Sequence, residues 1–235
     1  RDTEGKYGGL GMVISMEDYQ LTVVKTMKNS PARYGGILPQ DIIINVDGKP
    51  IKGMQIDQLA NLMRGYPNTK ISLTIFRPET GKHHVYTLTR KIILVETVEY
   101  RKVGEETGYL KITSFSKQTD EQLKEALKKA SEENVRGFIL DLRNNPGGLL
   151  DQSVKIASHF LQRGDLVVFT KGRKPNDRDE YRALYEDTLK SVPLAILINH
   201  QSASASEIVA GALKDSGQAL IVGESSYGKG SVQTI

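Results

Sequence analysis

Two short apolar runs, residues 137–142 (G-F-I-L-D-L) and 194–198 (L-A-I-L-I), constrain this chain more than any other feature. Each is bounded by turn-forming residues and has almost no polar alternation, as expected of a strand covered on both faces. The first ends in R-N-N-P-G-G, and helical spacing follows over about 150–161. The second delivers S-A-S-A-S-E and a helix predicted from about 206 to 214. A charged amphipathic helix is expected over 120–131, with Leu123 and Leu127 on one face, and further strands over 109–112, 166–169 and 219–222. Strands that alternate with helices predict an α/β layered domain from about residue 93. The charge-rich stretch 171–190 reads as a surface loop with some helix.

Residues 8 to about 92 have a different grain and read as a small β-rich domain. Strands are expected at 12–14, 21–24 and 41–46, the last closed by the Asp47–Gly48 turn. Residues 70–76 and 85–88 alternate like a hairpin around the loop P-E-T-G-K at 78–82. N-S-P-A-R-Y-G-G at 29–36 frames a short helix, and Ile56, Leu59, Leu62 and Met63 fit one face of another. The sequence therefore predicts two domains, 1–92 and 93–235.

Composition removes several function classes. No apolar run approaches the roughly 20 residues that cross a bilayer. The net charge of +4 is dispersed among acidic residues, and aromatics make up only 6%, so no nucleic-acid stacking platform is expected. There is no cysteine, hence no disulfide and no thiolate metal site. The histidines at 83, 84, 159 and 200 lack zinc-site spacing and read as surface residues, so neither a metal nor another cofactor is expected.

The chemistry concentrates near the C-terminal end. In S-A-S-A-S-E, Ser204 stands open among small neighbours where a helix begins, and Lys229 follows 25 residues later between two glycines. A serine hydroxyl needs a base beside it, and a lysine supplies one only when burial removes its proton. Ala, Gly, Val and Ile flank both, so a desolvated pair is expected. Two other readings stand beside this one. Ser204-x-x-Glu207 is also a capping box, and residues 223–229 satisfy G-x-x-x-x-G-K of a phosphate-binding loop. Against the latter, Gly230 occupies the position that needs Ser or Thr for magnesium, and S-V-Q-T-I reads as extended. No nucleotide is expected.

Five motifs in order, G-G-L-G (8–11), S-P-A…G-G-I-L-P-Q-D-I-I-I-N-V-D-G (30–48), L-D-L-R-N-N-P-G-G (140–148), S-A-S-A-S-E (202–207) and Y-G-K-G-S-V-Q (227–233), span nearly the whole chain. They resemble the carboxyl-terminal processing, or tail-specific, serine proteases. The resemblance implies a PDZ domain, a small β-barrel-like sandwich with helices. An α/β serine–lysine peptidase core of the ClpP/crotonase type follows it. The family's N-terminal helical region and the C-terminal part of its core read as missing. Gln201 departs from the family, which usually has Gly there, and narrows the expected approach to the serine.

The resemblance also implies roles. Ser204 is the nucleophile, Lys229 the general base and Gln233 the third catalytic residue. On a straight strand Lys229 and Gln233 would sit about 13 Å apart, so a bend near Gly230 is required. Gly147 or Gly148 supplies an oxyanion N–H, paired with that of Ala205; which glycine donates stays open. Asp215 is a weaker candidate for orienting the lysine. In the PDZ domain, Gly9, Leu10, Gly11 and Met12 match the loop that holds a peptide's terminal carboxylate, and the strand Met12, Val13, Ile14 receives the peptide. Ile56, Leu59 and Met63 line the side-chain pocket, or else belong to the core, and Arg64 is a weak candidate sensor of the second domain. The implied partners are proteins with hydrophobic C-terminal tails, in a bacterial cell envelope or periplasm, with homo-oligomers formed through regions outside this chain. The alternative is a catalytically silent tail-binding scaffold.

Overall fold

The computed structural model describes residues 5–172 and 177–231. The chain forms two compact units, Lys6–Val95 and a second that takes in Gly5 and the chain from Glu96 on.

The smaller unit contains β1 (Lys6–Gly9), β2 (Met12–Glu17), β3 (Gln20–Thr26), α1 (Pro31–Tyr34), β4 (Ile42–Val46), β5 (Lys49–Pro50), α2 (Ile56–Met63), β6 (Lys70–Arg77), β7 (Lys82–Thr89) and β8 (Lys91–Leu94). The order β2-β3-β4-β6-β7 is antiparallel throughout and leaves β2 at an edge. Alternation drives this sheet. Ile71, Leu73 and Ile75 of β6 point inward and are fully buried, together worth roughly 6 kcal/mol before entropy. Asp41, itself buried, accepts a two-pronged pair of bonds from Arg77 at 2.8 Å and one from Leu38 N–H at 2.8 Å, which fixes the turn into β4.

The sequence reading missed one pair of strands here. Gly9, expected in a loop, lies with Gly8 in β1, which runs antiparallel to β8 with Gly9 opposite Lys91. Gly8 is needed because the chain passes the end of α2: a Cβ there would come 2.0 Å from the Gly65 carbonyl oxygen.

The larger unit contains β9 (Val98–Val103), β10 (Thr107–Ile112), α3 (Thr119–Glu132), β11 (Gly137–Asp141), α4 (Leu150–Ser158), β12 (Leu166–Lys171), β13 (Arg178–Arg182), β14 (Leu194–Ile198), α5 (Ala205–Asp215) and β15 (Leu220–Gly223). Its sheet runs β15-β14-β11-β10-β9, parallel except for β9. Leu110, Ile112, Leu140, Leu142 and Ile196 meet Phe115, Leu123, Phe160, Val209 and Leu213 in one core. On α3, Asp120 and Glu121 in the first turn and Lys129 in the last complement the helix dipole.

Two expectations are corrected. The stretch 171–190 contains a strand: β13, R-D-E-Y-R, pairs with β12. Glu180 bridges Arg178 and Arg182 at 2.9 and 2.6 Å, and the Arg178 guanidinium lies 4.4 Å from the Phe169 ring centre. Cross-strand pairing and one ring against the core, Tyr181, hold it, so no apolar alternation marks it. His159 is buried rather than superficial. It bonds Asp120 at 2.8 Å, and the same carboxylate accepts from the Tyr185 hydroxyl at 2.7 Å and from Lys124 at 2.9 Å.

Candidate active site

Three adjacent parallel strands, β11, β14 and β15, end on the same side of their sheet. This is where open α/β sheets place their sites. The loops that follow, 142–148, 199–204 and 224–229, are stitched together there.

Asn145 is the knot between the first two. It is fully buried. Its Nδ2 donates to the Ile112 carbonyl at 2.8 Å, and its Oδ1 accepts the Gly147 N–H at 2.9 Å. Its backbone carbonyl accepts the Ala203 N–H at 3.1 Å and the Ser206 hydroxyl at 3.0 Å. Ser202 adds a bond to the Leu142 carbonyl at 2.8 Å. The two asparagines Asn144 and Asn199 exchange bonds at 2.9 and 2.8 Å.

Ser204 immediately precedes α5, with φ 55° and ψ −114°, a conformation L-residues rarely adopt. Its hydroxyl faces the Glu207 amide without making a cap hydrogen bond. Gly147 is packed directly against it. A Cβ on Gly147 would lie 2.7 Å from the Ala203 carbonyl oxygen, 2.9 Å from Ser204 Cβ and 3.0 Å from Ala205 N. The two glycines differ in their amides. The Gly147 N–H is taken by Asn145, whereas those of Gly148 and Ala205 have no partner among the described residues.

Glu207 joins the third loop to the serine. Its Oε2 accepts the N–H of Ser204 at 2.8 Å and that of Lys229 at 2.9 Å; its Oε1 accepts the Ser226 hydroxyl at 2.8 Å and the Gly228 N–H at 2.6 Å. Because one oxygen takes both bonds, the backbone nitrogens of Ser204 and Lys229 can be no more than about 6 Å apart. Partial burial pushes the Glu207 carboxyl up, but the Ser226 hydroxyl and the three N–H donors outweigh it and hold the group below its ordinary range. The loop is also tied back by Tyr227 N–H to the Ser202 carbonyl at 3.0 Å.

The structure thus brings Ser204, Ala205, Gly147, Gly148 and the Lys229 backbone together. It does not bury the lysine: Lys229 is exposed and its Nζ has no partner among the described residues, contrary to the expected desolvated pair. The glycines on either side leave no side chain to cover it. Gln233 lies outside the described residues. Asp215 is the last residue of α5, about 16 Å of helical rise from Ser204, and is exposed. Gln201 is exposed, with its N–H on Asn199. Glu207 was legible only as a local cap; nothing in the spacing announces its reach to residues 226–229.

In the smaller unit, Leu10 and Gly11 form the short turn between β1 and β2, so Gly9 belongs to the strand before the loop and Met12, Val13 and Ile14 to the strand after it. The carbonyls of Leu10 and Gly11 accept from Ala32 and Met27, while their own N–H groups have no partner among the described residues. Leu59 and Met63 are buried in the core, and of the three expected pocket residues Ile56 alone is open to solvent. Arg64 lies 5.1 Å over the Tyr7 ring.

A chain with a PDZ-like antiparallel unit, a parallel-stranded core and a serine elbow against a glycine turn has the makings of a PDZ-bearing peptidase. The model of peptidase family S41 matches residues 106–235, and a PDZ domain model matches residues 22–77. The chain belongs to peptidase family S41 and carries a PDZ domain before the S41 core. It is 43% identical over 237 residues to a carboxy-terminal-processing protease of Bartonella bacilliformis, covering 99% of this chain and 54% of that protein. It is 39% identical over 233 residues to a probable CtpA-like serine protease of Staphylococcus saprophyticus, covering 99% of this chain and 47% of that protein. A solved photosystem II D1 C-terminal processing protease superposes with a TM-score of 0.53 at 29% identity, over 98% of this chain and 63% of that one. The chain spans about half the length of the curated relatives it matches.

Proposed function

We propose that this protein is a serine endopeptidase that captures protein C-terminal tails on its PDZ domain and cleaves peptide bonds with Ser204 and Lys229. The observation that carries the proposal is the convergence of the Ser204 and Lys229 backbones on one oxygen of Glu207. Ser204 Oγ attacks the peptide carbonyl carbon while its proton passes to neutral Lys229 Nζ. The oxyanion forms between the open N–H groups of Gly148 and Ala205, and such a donor is worth about 3–4 kcal/mol. The peptide amine leaves with the proton from Lys229; water, deprotonated by Lys229 Nζ, then attacks the acyl ester, and Ser204 Oγ leaves with that proton. The lysine must lose its water to be neutral; in this reading the bound substrate covers it. Gln233 orients the amine.

The tail adds as a strand to the open edge of β2, with its carboxylate on the Leu10 and Gly11 N–H groups and an apolar side chain against Ile56. The work is processing or degradation in the cell envelope. A phosphate has no place at Gly228 and Lys229, because the Glu207 carboxylate already occupies their N–H groups. The exposure of Lys229 favours one second reading, a tail-binding scaffold without catalysis. Cleavage of unfolded casein by the intact protein, with and without EDTA, separates the two. EDTA-resistant cleavage lost in Ser204→Ala and in Lys229→Ala is the expected result; a wild type that binds tails and never cleaves makes it a scaffold.

A further inference from the structure

We infer that Glu207 is a positioning residue, an ionised clamp that holds the lysine loop against the serine elbow without touching substrate. This rests on the assignment of Ser204 and Lys229 above. A helix cap needs one bond from this side chain, Ser204 N–H to Oε2. Glu207 makes three more, and all of them go to residues 226–229 on another loop. Capping leaves these unexplained.

The chemistry of the donors selects a carboxylate. Three backbone N–H groups and one hydroxyl converge on two oxygens, and only an ionised carboxylate is acceptor at both. A glutamine would turn its NH2 toward two of the donors. The position suits an anion, since Glu207 lies in the first turn of α5. The loop needs the restraint: Lys229 stands between Gly228 and Gly230, its side chain is exposed, and its Nζ has no partner among the described residues. Backbone between two glycines has little preference of its own. Within 226–229, the bond from Tyr227 to Ser202 is the remaining tie to the serine loop.

The test is steady-state cleavage of a peptide substrate by the intact protein, with kcat normalised to folded molecules by circular dichroism. Glu207→Gln is expected to lower kcat about 100-fold with KM changed less than about twofold, since misplacement by an ångström costs a factor of that order. Ser226→Ala removes one donor outside the elbow. It is expected to lower kcat about threefold to tenfold in the wild type and to have no further effect in Glu207→Gln, as for two members of one network. Turnover per folded molecule within threefold of wild type in Glu207→Gln would overturn the clamp, as would equal effects of Ser226→Ala in both backgrounds. If Glu207→Gln does not fold, an unchanged kcat in Ser226→Ala alone overturns it. Ser204→Ala and Lys229→Ala run alongside: activity in either refutes the underlying pair, whereas an active Glu207→Gln with both of these dead refutes the clamp alone.

Discussion

Replacing Asn145 by alanine removes both ends of a buried amide and leaves two groups stranded, the Ile112 carbonyl and the Gly147 N–H. A buried polar group without a partner costs about 1–3 kcal/mol, so the change is expected to cost about 3 kcal/mol. With an m-value near 2 kcal/mol per molar urea, the midpoint falls by about 1.5 M. Urea unfolding followed by far-UV circular dichroism measures this, and amide exchange at Leu140 and Leu142, both fully buried, assigns the transition to the larger unit. Asn145→Asp sharpens the test. Its carboxylate still accepts from Gly147, but at neutral pH its second oxygen faces the Ile112 carbonyl. Burial raises that carboxyl above its unfolded value. Asn145→Asp is then destabilised above the raised pKa and recovers as pH falls through it, when the protonated oxygen donates to Ile112 as the amide did. A midpoint shift under about 0.3 M for Asn145→Ala, or no acid recovery for Asn145→Asp, refutes this account.

Asp120→Asn breaks the buried cluster with His159, Tyr185 and Lys124 and is expected to cost about 3 kcal/mol, on the order of 10 °C in melting temperature. Burial pushes the Asp120 carboxyl up, but His159, Tyr185 and Lys124 together hold it well below its ordinary range. The deficit is therefore full at neutral pH and shrinks as pH falls below the unfolded value of 3.8 toward the depressed one; calorimetric scans at several pH values check it. Amidating the C-terminus of a tail peptide removes the charge that the Leu10 and Gly11 N–H groups are proposed to hold. Titration calorimetry is expected to show Kd weakened about 10–100-fold, and equal affinities would remove the carboxylate from the binding scheme.

The sequence revealed the elements built on alternation or on strong turn chemistry. The β6–β7 hairpin, the runs that became β11 and β14, and the serine run entering α5 all have signals contained within one segment. What stayed hidden depends on distant partners. β1 looks like a glycine loop until β8 pairs with it and α2 passes close by. β13 is charged except at Tyr181, because pairing with β12 and that one ring against the core hold it. His159 is buried because Asp120, 39 residues earlier, receives it. What distinguishes Gly147 from Gly148 is one bond, from the Gly147 N–H to the Asn145 amide oxygen. The S-x-x-E motif showed Glu207 as a cap, but its three bonds to 226–229 span 19 to 22 residues and leave no local mark.

The backbone of Ser204, at φ 55° and ψ −114°, has a consequence for how this chain can change over time. Such a conformation costs an L-residue about 1–3 kcal/mol, and glycine adopts it with little penalty. The proposed nucleophile therefore stands where folding alone would prefer a residue with no side chain at all. Drift under pressure for stability alone leads toward Ser204→Gly: a sturdier protein that still folds but has no hydroxyl at the elbow. Under the proposed role, serine at 204 is held against the thermodynamic slope of the fold.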